Sequence, residues 1–153
     1  AAAPDPTPRA RVVGTVTLMR LSGGTTVKFD IYDFASGFQQ SPPSGTGGAG
    51  AGRVLFEPIT MTIVPDSATP QLFTWLATGV HLYSAEVQLY GKVGTTVLET
   101  FLYRTVILTA LSTTNGGAAT DSLFEQLTLK AGTAIQTVAG SHAGWNSITN
   151  VPA

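Results

Sequence analysis

Val27, Phe29 and Ile31 alternate with Lys28, Asp30 and Tyr32, so this segment reads as a strand with one apolar and one polar face. Together with the apolar, β-branched run from Arg11 to Leu21 it predicts a hairpin around the turn Ser22-Gly23-Gly24. Strand pattern resumes at Arg53, with Leu55, Ile59, Met61 and Ile63 on one face and Thr60 and Thr62 on the other; Pro58 removes a donor there and implies an edge or a bulge. Three more strands follow: Tyr83, Ala85, Val87 and Leu89 inward on the first, Leu98, Leu102, Val106 and Leu108 on the second, Leu123, Leu127 and Leu129 on the third. Gly91 to Gly94 and Asn115-Gly116-Gly117 supply turns, and Gly132 sets off a last strand over Thr133 to Val138. One short helix is signalled, with Thr69 as N-cap, Pro70 first in the helix, Leu72, Phe73 and Leu76 on one side, and Gly79 ending it. The fold class is therefore mainly all-β, a barrel or a sandwich with one flanking helix.

Two segments have no apolar period. Ala1 to Ala10 carries Pro4, Pro6 and Pro8, a spacing that favours extended backbone, so residues 1–10 read as an arm and residues 11–153 as a single domain. Ser36 to Gly52 contains Pro42-Pro43 and a tract of Gly45, Gly47, Gly48, Gly50 and Gly52, and reads as one long loop.

Composition changes the picture at the surface. Only 11% of residues are charged, with 43% hydrophobic. Soluble domains usually carry roughly a quarter charged residues, and the shortfall here is filled by Thr, Ser, Gly and Ala, which contact other protein at little desolvation cost. The net charge is −1, with basic residues scattered, which argues against nucleic acid as a partner. No run of eighteen apolar residues occurs, which argues against membrane insertion by a helix. The start Ala1-Ala2-Ala3-Pro4 fits a mature end left by signal peptidase as well as it fits a trimmed sequence.

Candidate chemistry does not survive inspection. Gly45, Gly47 and Gly50 form a literal G-x-G-x-x-G, but it leads into a strand rather than a helix N terminus, and no Lys-Ser or Lys-Thr follows. His81 and His142 are far apart, without a second ligand at i+2 or i+4. Asp30 and Asp33, three apart on a strand, should face opposite ways. Trp75 and Trp145 are candidates for stacking a sugar, though core or interface packing is the commoner role. No catalytic residue, metal site or cofactor is expected.

The order of features resembles the haemolysin-coregulated protein (Hcp) family, the tube protein of type VI secretion. The residues that carry the likeness are Ala49 to Val54, Asp66 to Leu72 followed by Gly79-Val80-His81, Ser84 to Leu89, Leu111 to Gly117, Leu123 to Leu129 and Gly144-Trp145-Asn146. The resemblance implies a β-barrel with one flanking helix, six copies closing into a ring, and rings stacking into a hollow tube, with no enzymatic activity. It places contacts between copies on the Gly-rich loop, and unpaired strand edges of a charge-poor sheet would independently favour self-association. The subunit-interface candidates are Pro4, Pro6 and Pro8 of the arm and Pro42, Pro43, Gly45, Gly47, Gly48, Gly50, Gly52 and Arg53 of the loop. Because the arm departs from the family's start, the favoured reading is a secreted bacterial protein that assembles outside the cell as a tube or helical filament. The alternatives are a tube or carrier protein loaded from the cytoplasm, or a secreted β-domain that binds glycan or protein.

Overall fold

Strands β1 (Gly14–Met19) and β2 (Thr26–Ala35) pair antiparallel across a turn in which Gly23 takes φ 73° and the Gly24 N–H donates to the Leu21 carbonyl, so the expected hairpin forms. The computed structural model describes residues 11–40, 53–115 and 123–153. The chain continues through β3 (Phe38–Gln40), β4 (Val54–Phe56), β5 (Ile59–Ile63), α1 (Thr69–Thr78), β6 (His81–Tyr90), β7 (Val97–Asn115), β8 (Leu123–Val138), β9 (Ser141–Asn146) and β10 (Val151–Pro152). Six strands in the order β8-β5-β2-β1-β6-β7 form one antiparallel sheet, and pairing of β7 with β8 closes it into a barrel. Beyond Leu129, β8 exchanges β5 for β9, and β10 pairs with β9.

Closure overturns one premise of the sequence reading. The barrel strands satisfy one another, so self-association is not required to complete them; among the described residues open edges are left to the β3–β4 ribbon and to β9–β10. Pro58 sits in the short break between β4 and β5, and β5 is no edge strand, being paired with both β2 and β8. The segment beyond Gly132 is not separate either: β8 runs through it unbroken.

The barrel is filled by Val16, Leu18, Ile31, Met61, Val87 and Leu127 with their neighbours, each fully or almost fully buried and stabilising the fold by roughly 1.5–3 kcal/mol. Helix α1 lies against β7 and contributes Leu72 and Trp75 to this core. Phe73, expected inward, is 65% exposed, because Trp75 rather than Phe73 shares the face of Leu72. Thr69 is not the N-cap. Ala68 occupies that position without a side-chain cap, while the Thr69 hydroxyl accepts the Asp66 N–H at 2.8 Å and the Asp66 carboxylate accepts the Ala68 N–H at 2.7 Å. Gly79 ends the helix as expected, in the left-handed conformation at φ 67°.

The alternation of inward residues reverses once along each of β6, β7 and β8. On β6 Leu82 is 1% exposed and Tyr83 37%, after which Ala85 and Val87 point in. On β7 Phe101 and Tyr103 are buried, as are Val106 and Leu108; Leu98 is exposed and Leu102 half-buried, contrary to expectation. On β8 Leu127 and Leu129 are buried and then Ala134, while Leu123 is exposed. The reversals share one level of the barrel: Leu82 pairs with Val106 and Ser84 with Arg104, while Arg104 pairs with Thr133 and Val106 with Ala131. Thr105, at φ 53°, lies in the crease.

Tyr103 is fully buried on β7, and its hydroxyl meets that of Ser36 at 3.3 Å. Burial pushes its pKa from 10.0 to about 12, with the Ser36 bond opposing and the Glu99 charge assisting. Below the unfolded value neither state ionises, so the full contribution is present there. From about pH 10 to about 12 the unfolded chain loses this proton and the native chain keeps it. Stability should fall through that window by up to about 1.4 kcal/mol per pH unit. Urea denaturation at about pH 9 and about pH 11 should show this component in the native protein and its loss in Tyr103→Phe.

Candidate assembly interface

Past Ala35 the chain leaves the barrel and returns at Ile59, and the long loop expected over Ser36 to Gly52 proves narrower, because its base is a two-stranded ribbon. Phe38 pairs with Phe56, Gln39 with Leu55 and Gln40 with Val54. The Glu57 N–H donates to the Gly37 carbonyl at 2.9 Å, and the Gln39 amide donates to the Glu57 carboxylate. A side chain at position 37 would collide with that carboxylate, which fits glycine there.

The ribbon is held to the barrel by aromatic rings. Phe38 packs edge-on against Phe56 at 5.1 Å and meets Phe101 at 6.3 Å; Phe101 stacks on Phe34 at 5.9 Å and on Tyr103 at 5.6 Å. Such pairs contribute about 0.5–1.5 kcal/mol each beyond their burial. A second tie comes from Arg53, whose guanidinium donates to the Ser147 carbonyl at 2.8 Å and the Ile148 carbonyl at 3.4 Å. Between ribbon and barrel runs a groove of about 230 Å³, lined by Phe38, Val54, Phe56, Ala134, Gly144 and Trp145 among others. The ribbon also exposes Leu55, and Ile148 is exposed beside the Arg53 tie.

Of the interface candidates, only Arg53 falls among the described residues. Pro4, Pro6, Pro8, Pro42, Pro43, Gly45, Gly47, Gly48, Gly50 and Gly52 lie outside them, as does the G-x-G-x-x-G match. The sequence reading missed the aromatic cluster, although a signal was there: Phe34 and Phe38 precede the Gly-rich tract, Phe56 follows it, and these with Phe101 are four of the seven phenylalanines.

The residues screened for chemistry are dispersed. His81 begins β6 and His142 lies on β9, and among the described residues no group of three or more His, Asp or Glu side chains gathers as a metal would need. Asp30 and Asp33 are both exposed, because a register shift between Ile31 and Asp33 brings them to the outside together rather than to opposite faces. Trp75 is buried on the inner side of α1, at 8% exposure, while Trp145 is half-buried with its indole N–H donating to the Asn150 side chain at 3.2 Å.

A family model described as "Type VI secretion system effector, Hcp" matches residues 22–137, well over half of the chain. A comparison with curated proteins returns no match. Among solved structures, a variant of Hcp1 from the E. coli EAEC 042 pathovar is similar, with 16% identity, coverage of 89% of this chain and 99% of that one, and a TM-score of 0.73. Hcp1 from Salmonella typhimurium is 16% identical over 82% of this chain and 84% of its own, with a TM-score of 0.68. Hcp3 from Pseudomonas aeruginosa, described as a secreted protein, is 14% identical over 87% and 98%, with a TM-score of 0.67. At these identities the structures speak for the fold.

Proposed function

Since this chain belongs to the Hcp family of type VI secretion proteins, we propose that its copies close into six-membered rings that stack into a tube, with the segment between β3 and β4 reaching between copies. Hcp proteins are structural and non-enzymatic, are secreted by the type VI system, and form homohexameric rings stacked into a tube. The observation that carries the reading for this chain is the ribbon. It is fastened to the barrel by the aromatic cluster and by Arg53, and it carries residues 41–52 as the connection at its tip. A closed barrel with such an arm offers a heterologous contact, in which one patch meets a different patch on the next copy; that geometry makes rings when the rotation closes.

Pro42, Pro43, Gly45, Gly47, Gly48, Gly50 and Gly52 at the tip, with Arg53 at its base, are the proposed contact residues, joined by Pro4, Pro6 and Pro8 of the arm. Negative-stain microscopy of the purified protein should show rings or tubes. Replacing Gly47, Gly48 and Gly50 with bulky residues should leave the circular dichroism of the barrel intact while rings are lost. A single particle of one-chain mass in the ultracentrifuge at high concentration overturns the reading.

A further inference from the structure

A pocket of about 320 Å³ opens on the outside of the crease, where the end of β1 meets β6 and β7, and Arg20, Ser22, His81, Tyr83, Arg104 and Thr105 line it. The three central side chains come from neighbouring strands. The Arg20 carbonyl accepts the Tyr83 N–H at 3.1 Å, and Ser84, the next residue, pairs with Arg104. In strand order the tyrosine therefore lies between two arginines.

Both guanidinium groups are oriented by the protein and keep donors to spare. Arg20 donates to the His81 carbonyl at 2.9 Å. Arg104 lies 4.9 Å from the centre of the Tyr83 ring and donates to its hydroxyl at 2.9 Å. A guanidinium has five N–H donors, so several on each remain for a ligand. No carboxylate is among the described residues lining the pocket. The chain has eight Lys and Arg residues in all, and two of them share this one pocket. Two cations in one concavity without a counter-charge repel each other, and an anion bridging them relieves that.

The backbone adds an independent observation. A β-branched residue at positive φ is a true outlier, and Thr105 at φ 53° lines this pocket. The crease there exposes Tyr83 and Arg104 on adjacent strands, which an unbroken alternation through Leu82 and Val106 would not do. Strain of this kind, of order 1–3 kcal/mol, is held where surrounding structure over-determines it, often at binding sites.

We propose that this pocket binds a small phosphate-class oxyanion between Arg20 and Arg104, with the Ser22 hydroxyl as a further donor. The paired forks suit a tetrahedral oxyanion, to which arginine can donate two parallel bonds. The described lining residues come from one protomer, so the site does not depend on ring formation, and its failure would leave the assembly reading untouched.

The test is calorimetric titration of the purified protein with inorganic phosphate and with pyrophosphate, against sodium chloride at matched ionic strength. Saturable binding of one anion per chain is expected, with chloride giving none. Arg104→Gln and Arg20→Gln should each weaken it by about tenfold or more, while Lys92→Gln, which removes a cation beyond the far end of β6, should leave it unchanged. Should Arg104→Gln fail to fold, Arg20→Gln, just past the end of β1, decides alone. Heats that match chloride, or equal weakening by Lys92→Gln, overturn the proposal.

Discussion

Phe101→Ala is expected to destabilise the barrel by about 3–5 kcal/mol and to abolish ring formation at the same time. Phe101 is almost fully buried on β7 and touches three other rings, Phe34, Phe38 and Tyr103. Removing it opens a cavity over Tyr103 and takes away the ring against which Phe38 rests. The stability loss belongs to the barrel, and the assembly loss belongs to the ribbon, so a second substitution separates them. Phe38 is 43% exposed, and its aromatic partners are Phe56 and Phe101. Phe38→Ala should therefore cost only about 1 kcal/mol in guanidinium denaturation, yet rings in negative stain should be lost or much reduced. If Phe101→Ala remains folded and still forms rings as well as the native protein, docking of the ribbon is not what presents residues 41–52 to a neighbour.

How much of this was legible in the sequence depends on the range of the signal. The hairpin around Gly23, the helix end at Gly79 and the inward face of Ile59, Met61 and Ile63 were read correctly because each rests on neighbours a few residues apart, whereas Leu55, placed on that same face, is exposed on the separate strand β4. The errors share a different cause. Tyr83, Leu98 and Leu102 were assigned inward by carrying one alternation along a whole strand, whereas β6 and β7 reverse their faces at the crease; Leu123 keeps the parity of the buried Leu127 and Leu129 but is exposed at the first position of β8. The reversal at Thr105 comes from a backbone angle that no rule of residue type anticipates, since threonine avoids positive φ. Phe73 was preferred to Trp75 on the helix because periodicity gives a face but not the direction of its neighbour. Closure of the sheet, which the family resemblance implied, could not be read from the strand patterns themselves. Pairing of β7 with β8, the next strand in the chain, is local, but closure also needs β8 to meet β5, 62 to 70 residues earlier in the chain. Open edges therefore looked like the reason to assemble. With the barrel closed, the contact proposed above rests instead on the ribbon, whose phenylalanines meet at Phe101 only once the chain is folded.

Gly14→Ala is the second substitution with a large expected effect, although it adds a single methyl group. Gly14 opens β1 between Ile31 of β2 and Leu89 of β6. A Cβ there would overlap the Gln88 carbonyl oxygen, with the Gln88 carbonyl carbon at 3.1 Å and the Leu89 Cα at 3.2 Å. All three are backbone atoms of a paired strand, so no side chain can turn aside. The methyl group must push β1 from β6, straining the ladder there and the bond from the Tyr90 N–H to the Val13 carbonyl. Overpacking usually costs about 1–3 kcal/mol and more where nothing yields, against about 0.4–1 kcal/mol regained from the stiffer unfolded chain; a net loss of about 3 kcal/mol is expected. Gly132→Ala is the informative comparison. Its methyl would meet the Ile148 Cδ1 at 2.7 Å and the Thr105 Cβ at 3.2 Å, and Ile148 is an exposed side chain able to swing away. That variant should lose about 1 kcal/mol or less. Equal denaturation midpoints for the two variants would show that β1 and β6 can part without penalty, and that the close approach at Gly14 does not hold the barrel shut.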